Sequence, residues 1–207
     1  MIRARACKSD LRAPILAQAD DPDPSSRVLR APELDDPACR EALARLVRLR
    51  PAAILAPCAG PQDAQAFSVR LAVAEAEAGL PDGATPLIAS LSRAAAFLRL
   101  EGWRGASARL IALAFDPASL AADLKLPALR EDGALVAPLA QARAMTVFAA
   151  AAAGLSALDA PFAGARDDQR ALAEEARTAR RDGFAGKFAR DAHEARVIEE
   201  TFARAGD

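Results

Sequence analysis

The sequence predicts an α/β fold built on a parallel sheet, and three observations carry that expectation. Residues 140–188, AQARAMTVFAAAAAGLSALDAPFAGARDDQRALAEEARTARRDGFAGKF, read as helix, strand, helix, strand in strict succession. The stretches TPLIAS to SRAAAFLRLEG and ARLIALAF to DPASLAADLKL repeat the strand-then-helix unit upstream. Alanine supplies 56 of the 207 residues, a load that favours many helices packed closely on a sheet rather than a thick aromatic core.

Taken in order, a first strand is expected at 14–19 (PILAQA), ended by the acidic, proline-containing DDPDPSS. A second, at 27–32 (RVLRAP), leads to a helix at 36–48 with Asp35 or Asp36 as its N-cap. A third, at 52–57 (AAILAP), leads to a helix at 61–79 that closes on Gly79. Strands at 85–90 and 108–115 follow, the latter feeding a helix with Pro117 in its first turn. A long helix at 134–153 ends on Gly154; a strand at 156–162, a charged amphipathic helix at 167–181, a strand at 186–190 and a helix at 191–205 complete the chain. Seven strands alternating with helices leave two architectures, a barrel or an open doubly wound sheet.

The length suits a single domain spanning 1–207 and is short of the roughly 250 residues of an eight-stranded barrel. A net charge of -1 with arginines scattered among acids excludes a nucleic-acid footprint. Cys7, Cys39 and Cys58 are odd in number and far apart, which points to neither a disulfide framework nor a zinc site and fits a reducing cytoplasm. No signal-peptide core is expected in MIRARACKSD, and the apolar run at 144–155 is too short to span a bilayer, so a soluble protein without membrane partners is expected. No glycine-rich phosphate loop follows any strand.

Gly154, Leu155, Leu158, Asp159, Pro161, Phe162, Gly183, Phe184, Gly186 and Lys187 form an Ala-rich helix, a strand of the type (I/L)-D-x-P-F, a helix and G-F-x-G-K. In this order the run resembles the HpcH/HpaI aldolase and citrate lyase beta-subunit family. Upstream, LRAPILAQADDPD resembles the family's opening strand and loop, although Gln18 and Ala19 stand where proline and glycine are expected. RVLRAPEL matches its V-R-V-N-P-L strand with Arg30 on the motif arginine, and LIALAFDPASLAADL is similar to L-A-A-L-A-F-G-A-E-D-L-A-A-D-L. The resemblance implies a TIM-type barrel that is incomplete, because one strand and its flanking helices are absent between the first two strands. Neighbouring strands drawn together, a loop or another subunit would then cover the exposed edges.

For activity, the resemblance implies a carbon–carbon lyase acting on a citryl-, malyl- or citramalyl-CoA thioester, with Mg²⁺ stabilising the developing enolate. The motif's two metal carboxylates fall on Ala89 and Ser119, its fourth-strand Lys and Glu on Cys58 and Gly60, and its eighth-strand His-Pro on Asp191 and Ala192. Arg30 is the expected substrate-binding residue, since a guanidinium at a strand end clasps a carboxylate bidentately; the alternative is an ion pair with Glu33 or Asp116. Asp159 is a second substrate-binding candidate, against the reading that it holds a loop. Asp116 is the candidate metal ligand, against the reading that it caps the following helix. His193 is expected at the surface and Trp103 in packing. Two functions therefore stand: a lyase of reduced or absent activity binding an acyl-CoA or a dicarboxylate, and a non-catalytic barrel serving as a binding or assembly module. A homo-oligomer is compatible with either.

Overall fold

The structure, a computed structural model, describes residues 11–17 and 23–203; Cys7, Gln18, Ala19 and the end of the expected last helix lie outside them. In chain order the elements are β1 (Ile15–Ala17), β2 (Arg27–Arg30), α1 (Cys39–Arg48), β3 (Ala53–Cys58), α2 (Pro61–Glu77), β4 (Leu87–Leu91), α3 (Ala94–Phe97), β5 (Leu110–Phe115) and α4 (Pro117–Asp123). They continue with β6 (Arg130–Glu131), β7 (Ala134–Leu135), α5 (Ala137–Ala153), β8 (Ser156–Asp159), α6 (Gln169–Arg181), β9 (Gly186–Lys187) and α7 (Ala192–Ala203).

Seven strands form one parallel sheet in the order β1-β2-β3-β4-β5-β8-β9. The sheet curls until its edges meet. Ile15 bridges Ala189, the Leu16 amide donates to the Ala189 carbonyl at 3.0 Å, and the Lys187 and Ala189 amides donate to the Arg12 and Pro14 carbonyls, each at 3.0 Å. The fold is thus an α/β barrel one strand short of eight, and the gap is filled by β1 pairing directly with β2.

Alternation along each strand separates two packed layers, as expected for parallel strands buried on both faces. Val28, Leu55, Ile88, Ala114, Leu158 and Phe188 pack with Ala53, Ala112 and Leu11 inside the barrel. Leu29, Ile54, Leu87, Ala89, Leu91, Leu113 and Phe115 point outward into the helices. Fewer strands give a narrower barrel, and the alanines at 53, 112 and 114 leave the room to close it. Gly186 serves the same closure: a Cβ there would lie 1.8 Å from the Leu11 carbonyl oxygen.

Two elements differ from the sequence expectation. The helix expected after β4 shrinks to the single turn of α3, because residues 98–107 contain Gly102 (φ 89°) and Gly105 (φ 76°) and bury Trp103 beneath them. The hairpin β6-β7 occupies part of what reads as the start of α5; it turns on Asp132 (φ 48°) and Gly133 (φ 80°), the Asp-Gly pair that primed hairpin turns favour.

Candidate functional site at the barrel mouth

The C-terminal ends of parallel strands are where barrels place their chemistry, because side chains from several strands converge there above a filled core. At this end Arg30 leaves β2, Ser90 leaves β4 and Asp116 follows β5, each in the same alternation phase as the interior residues Val28, Ile88 and Ala114. The three meet. Asp116 Oδ2 accepts from Arg30 Nη1 at 3.0 Å, from Ser90 Oγ at 3.2 Å and from Ser119 Oγ at 3.0 Å, while Oδ1 accepts from the Ser119 amide at 3.1 Å. The last bond makes Asp116 the N-cap of α4, where the motif's acidic position has become Ser119. Burial works to raise the pKa of this carboxyl, but the Ser119 amide and the Arg30 guanidinium outweigh it and hold the group below the usual carboxylate range.

Other charges of this rim are paired as well. Arg93 contacts Glu33 at 3.3 Å, tying the end of β4 to that of β2. Arg190 donates from Nε to Glu194 at 2.6 Å and lies over the Phe162 ring at 5.7 Å, and Arg166 contacts Asp191 at 2.8 Å. Asp191 also caps α7, accepting from the Glu194 and His193 amides; these bonds, the Glu194 one foremost, lower its pKa. His193 itself is exposed, and Trp103 is buried.

Strand alternation sends Asp159 away from this mouth. Leu158 faces the barrel interior, so Asp159 faces the helices, where Arg143 grips it at 2.9 Å from Nη2 and 3.2 Å from Nε. Arg143 continues to Asp182 at 2.6 Å and over the Phe184 ring at 4.7 Å. The fully buried Lys187 completes the group, donating to the Ala160 carbonyl at 2.5 Å and to Glu175 at 2.9 Å. The motif residues Asp159, Phe184 and Lys187 thus lock α5 and α6 to the last two strands, and Asp159 does not join Arg30. Ala89 likewise points into the helix-side core, and the mouth-facing residue of β4 at that level is Ser90. Cys58 also lies in that core, where burial pushes its thiol pKa up.

Sequence reading missed Ser90 and the Arg93–Glu33 brace. The period-two alternation of TPLIAS, counted from Ile88 as an inward residue, identifies Ser90; nothing local pairs Arg93 with Glu33, 60 residues apart in the chain.

A cavity of about 1040 Å³ opens at the opposite end of the barrel, among Val47, Pro51, Val69, Leu80 and Arg109. Its buried charges are committed to structure: Glu75 accepts from Arg109 at 2.7 Å and from the Thr85 and Gly83 amides, and Arg109 also pairs with Asp82, clamping the turn before β4. We therefore place the site at the mouth.

The model of the HpcH/HpaI aldolase/citrate lyase family matches residues 4–192. The chain belongs to that family. Among solved structures, RipC from Yersinia pestis is 22% identical with a TM-score of 0.75 over 97% of this chain and 98% of that one. CitE from Mycobacterium tuberculosis, in complex with magnesium and acetoacetate, is 21% identical with a TM-score of 0.69, covering 88% and 70%. Malate synthase from Haloferax volcanii is 18% identical with a TM-score of 0.71, covering 87% of this chain and 55% of that one. At such identities the likeness speaks for the fold. A search of curated proteins finds no match. Among the described residues no helix is long and apolar enough to cross a membrane.

The mouth of this family member does not fit Mg²⁺. Such a cation wants one or two free carboxylates in an octahedral oxygen shell. The Asp116 carboxylate is taken by four donors, one of them a guanidinium. Asp116, the expected metal ligand, is engaged here as the N-cap of α4 and in the ion pair with Arg30.

Proposed function

We propose that this chain is a lyase-family barrel whose mouth receives the carboxylate end of a short dicarboxylate, free or as part of an acyl-CoA thioester of the citryl, malyl or citramalyl kind. Its carbon–carbon lyase activity is absent or severely reduced. The observation that carries the reading is the convergence of Arg30, Ser90 and Ser119 on the Asp116 carboxylate at one point of the mouth. A guanidinium and hydroxyls suit recognition of a carboxylate. They do not suit bond cleavage, because a developing enolate oxygen would meet neutral hydroxyls and an arginine already paired, and so would lack several kcal/mol of electrostatic stabilisation. The magnesium and acetoacetate held by CitE from Mycobacterium tuberculosis make a keto acid a natural ligand class to try first. A cytoplasmic setting, and a homo-oligomer in which the barrel acts as a binding or assembly module, belong to the same reading.

The test is to incubate the purified protein with citryl-, malyl- and citramalyl-CoA, with Mg²⁺ or with EDTA, and to measure oxaloacetate, glyoxylate or pyruvate. No release above the buffer blank from a folded sample is expected. Release that needs Mg²⁺ and disappears in EDTA would restore the lyase reading.

A further inference from the structure

We propose that Asp116 is a built-in occupant of Arg30, so that the mouth admits a carboxylate ligand only in competition with the protein's own side chain. The inference rests on the reading of the mouth as a carboxylate site and adds how that site is regulated. Three donors converge on the single oxygen Asp116 Oδ2: Arg30 Nη1 at 3.0 Å, Ser119 Oγ at 3.0 Å and Ser90 Oγ at 3.2 Å. A ligand carboxylate would find the same donor set if Asp116 were displaced from it.

The two partners are unequally exposed. The Arg30 side chain keeps 44% of its surface in solvent, against 11% for Asp116. An incoming carboxylate therefore reaches the guanidinium from solvent and competes there with the more deeply seated Asp116. Two residues beyond Ser90, the buried Ser92 hydroxyl has no hydrogen-bond partner in the protein, although buried polar atoms are nearly always satisfied. It supplies a spare donor at the same strand end.

Other arginines of this rim are differently placed: Arg93 is held by Glu33, Arg166 by Asp191, and Arg190 by Glu194 and the Gly164 carbonyl. An intramolecular carboxylate acts at high effective concentration. A monocarboxylate with a single anchor competes poorly with it, and a short dicarboxylate with a second anchor competes better.

Isothermal titration of acetate and of malate into the wild type, Asp116→Asn and Asp116→Asn/Arg30→Gln tests this. Asparagine keeps a cap acceptor and removes the charge; Asp116→Ser, also a capping residue, repeats the test should the first variant fold poorly. Malate is expected to bind Asp116→Asn at least about tenfold more tightly than wild type, with a smaller gain for acetate, and to lose its binding in the double variant. Equal malate affinity in wild type and Asp116→Asn, lost on Arg30→Gln, overturns the occupant role and leaves the carboxylate reading standing. No binding by any folded variant, or binding indifferent to Arg30→Gln, overturns both.

Discussion

Both oxygens of Asp116, three residues before the motif's acidic position at Ser119, are engaged within the protein. As an acceptor for the Ser119 amide it begins α4, and as a counter-ion it neutralises Arg30. Removing the acceptor with Asp116→Ala is expected to cost about 1–2 kcal/mol, the usual worth of an N-cap, measured by urea denaturation. Because its folded-state pKa lies below the ordinary value of 3.8, the group adds stability that is present above that value and lost as the pH falls through the lowered one. The acid limb of the stability curve below about pH 4 should therefore be shallower in Asp116→Asn than in wild type. Asp159 is expected to behave differently. It is 3% exposed, clasped by Arg143 and 3.9 Å from Lys187, so Asp159→Ala leaves Arg143 to Asp182 and Lys187 to Glu175 alone and should cost about 3 kcal/mol. Malate titration into that variant, with no change in affinity relative to wild type, would confirm that its role is structural.

Among the elements, what was legible in the sequence is what local chemistry decides. β3, β4 and β5 fall within two residues of the runs AAILAP, TPLIAS and ARLIALAF, because their apolar content and flanking turn residues are local properties. The end of α5 was legible for the same reason, since Gly154 closes it at φ 72°; α6, expected from 167, starts two residues later because Asp168 caps it by accepting from the Ala171 amide at 2.9 Å. The facing of individual residues was less legible. Asp159 lies near a strand's C-terminal end, where ligands bind in such folds, but its phase relative to Leu158 turns it to the helices. A short strand of four residues carries too little alternation to fix that phase without the neighbouring strands. The hairpin β6-β7 was readable from R-E-D-G-A-L and was masked by the helical pattern that follows it. The mouth cluster joins residues 86 positions apart in the chain, a pairing that only the assembled barrel makes.

At the scale of the whole molecule, the missing strand is accommodated by contraction. β1 pairs with β2, small residues line the interior, and the chain around Leu11 to Ala17 meets β9 and Ala189 at the seam. Gly186 is the tightest point of this closure, and Gly186→Ala is expected to destabilise the fold by about 3 kcal/mol, the upper end of the cost of overpacking. Thermal unfolding followed by circular dichroism measures it, and an unchanged midpoint would mean that the seam gives way without strain. The same contracted barrel ends in a mouth where Asp116 and Arg30 satisfy each other within the protein, an arrangement open to direct test. Its most direct test is a titration of Mn²⁺, as a paramagnetic stand-in for Mg²⁺, into the wild-type protein and Asp116→Asn, with free Mn²⁺ followed by electron paramagnetic resonance. The expected result is no site of micromolar affinity in either protein. A micromolar site in the wild type that Asp116→Asn abolishes would contradict the account and return Asp116 to the role of metal ligand.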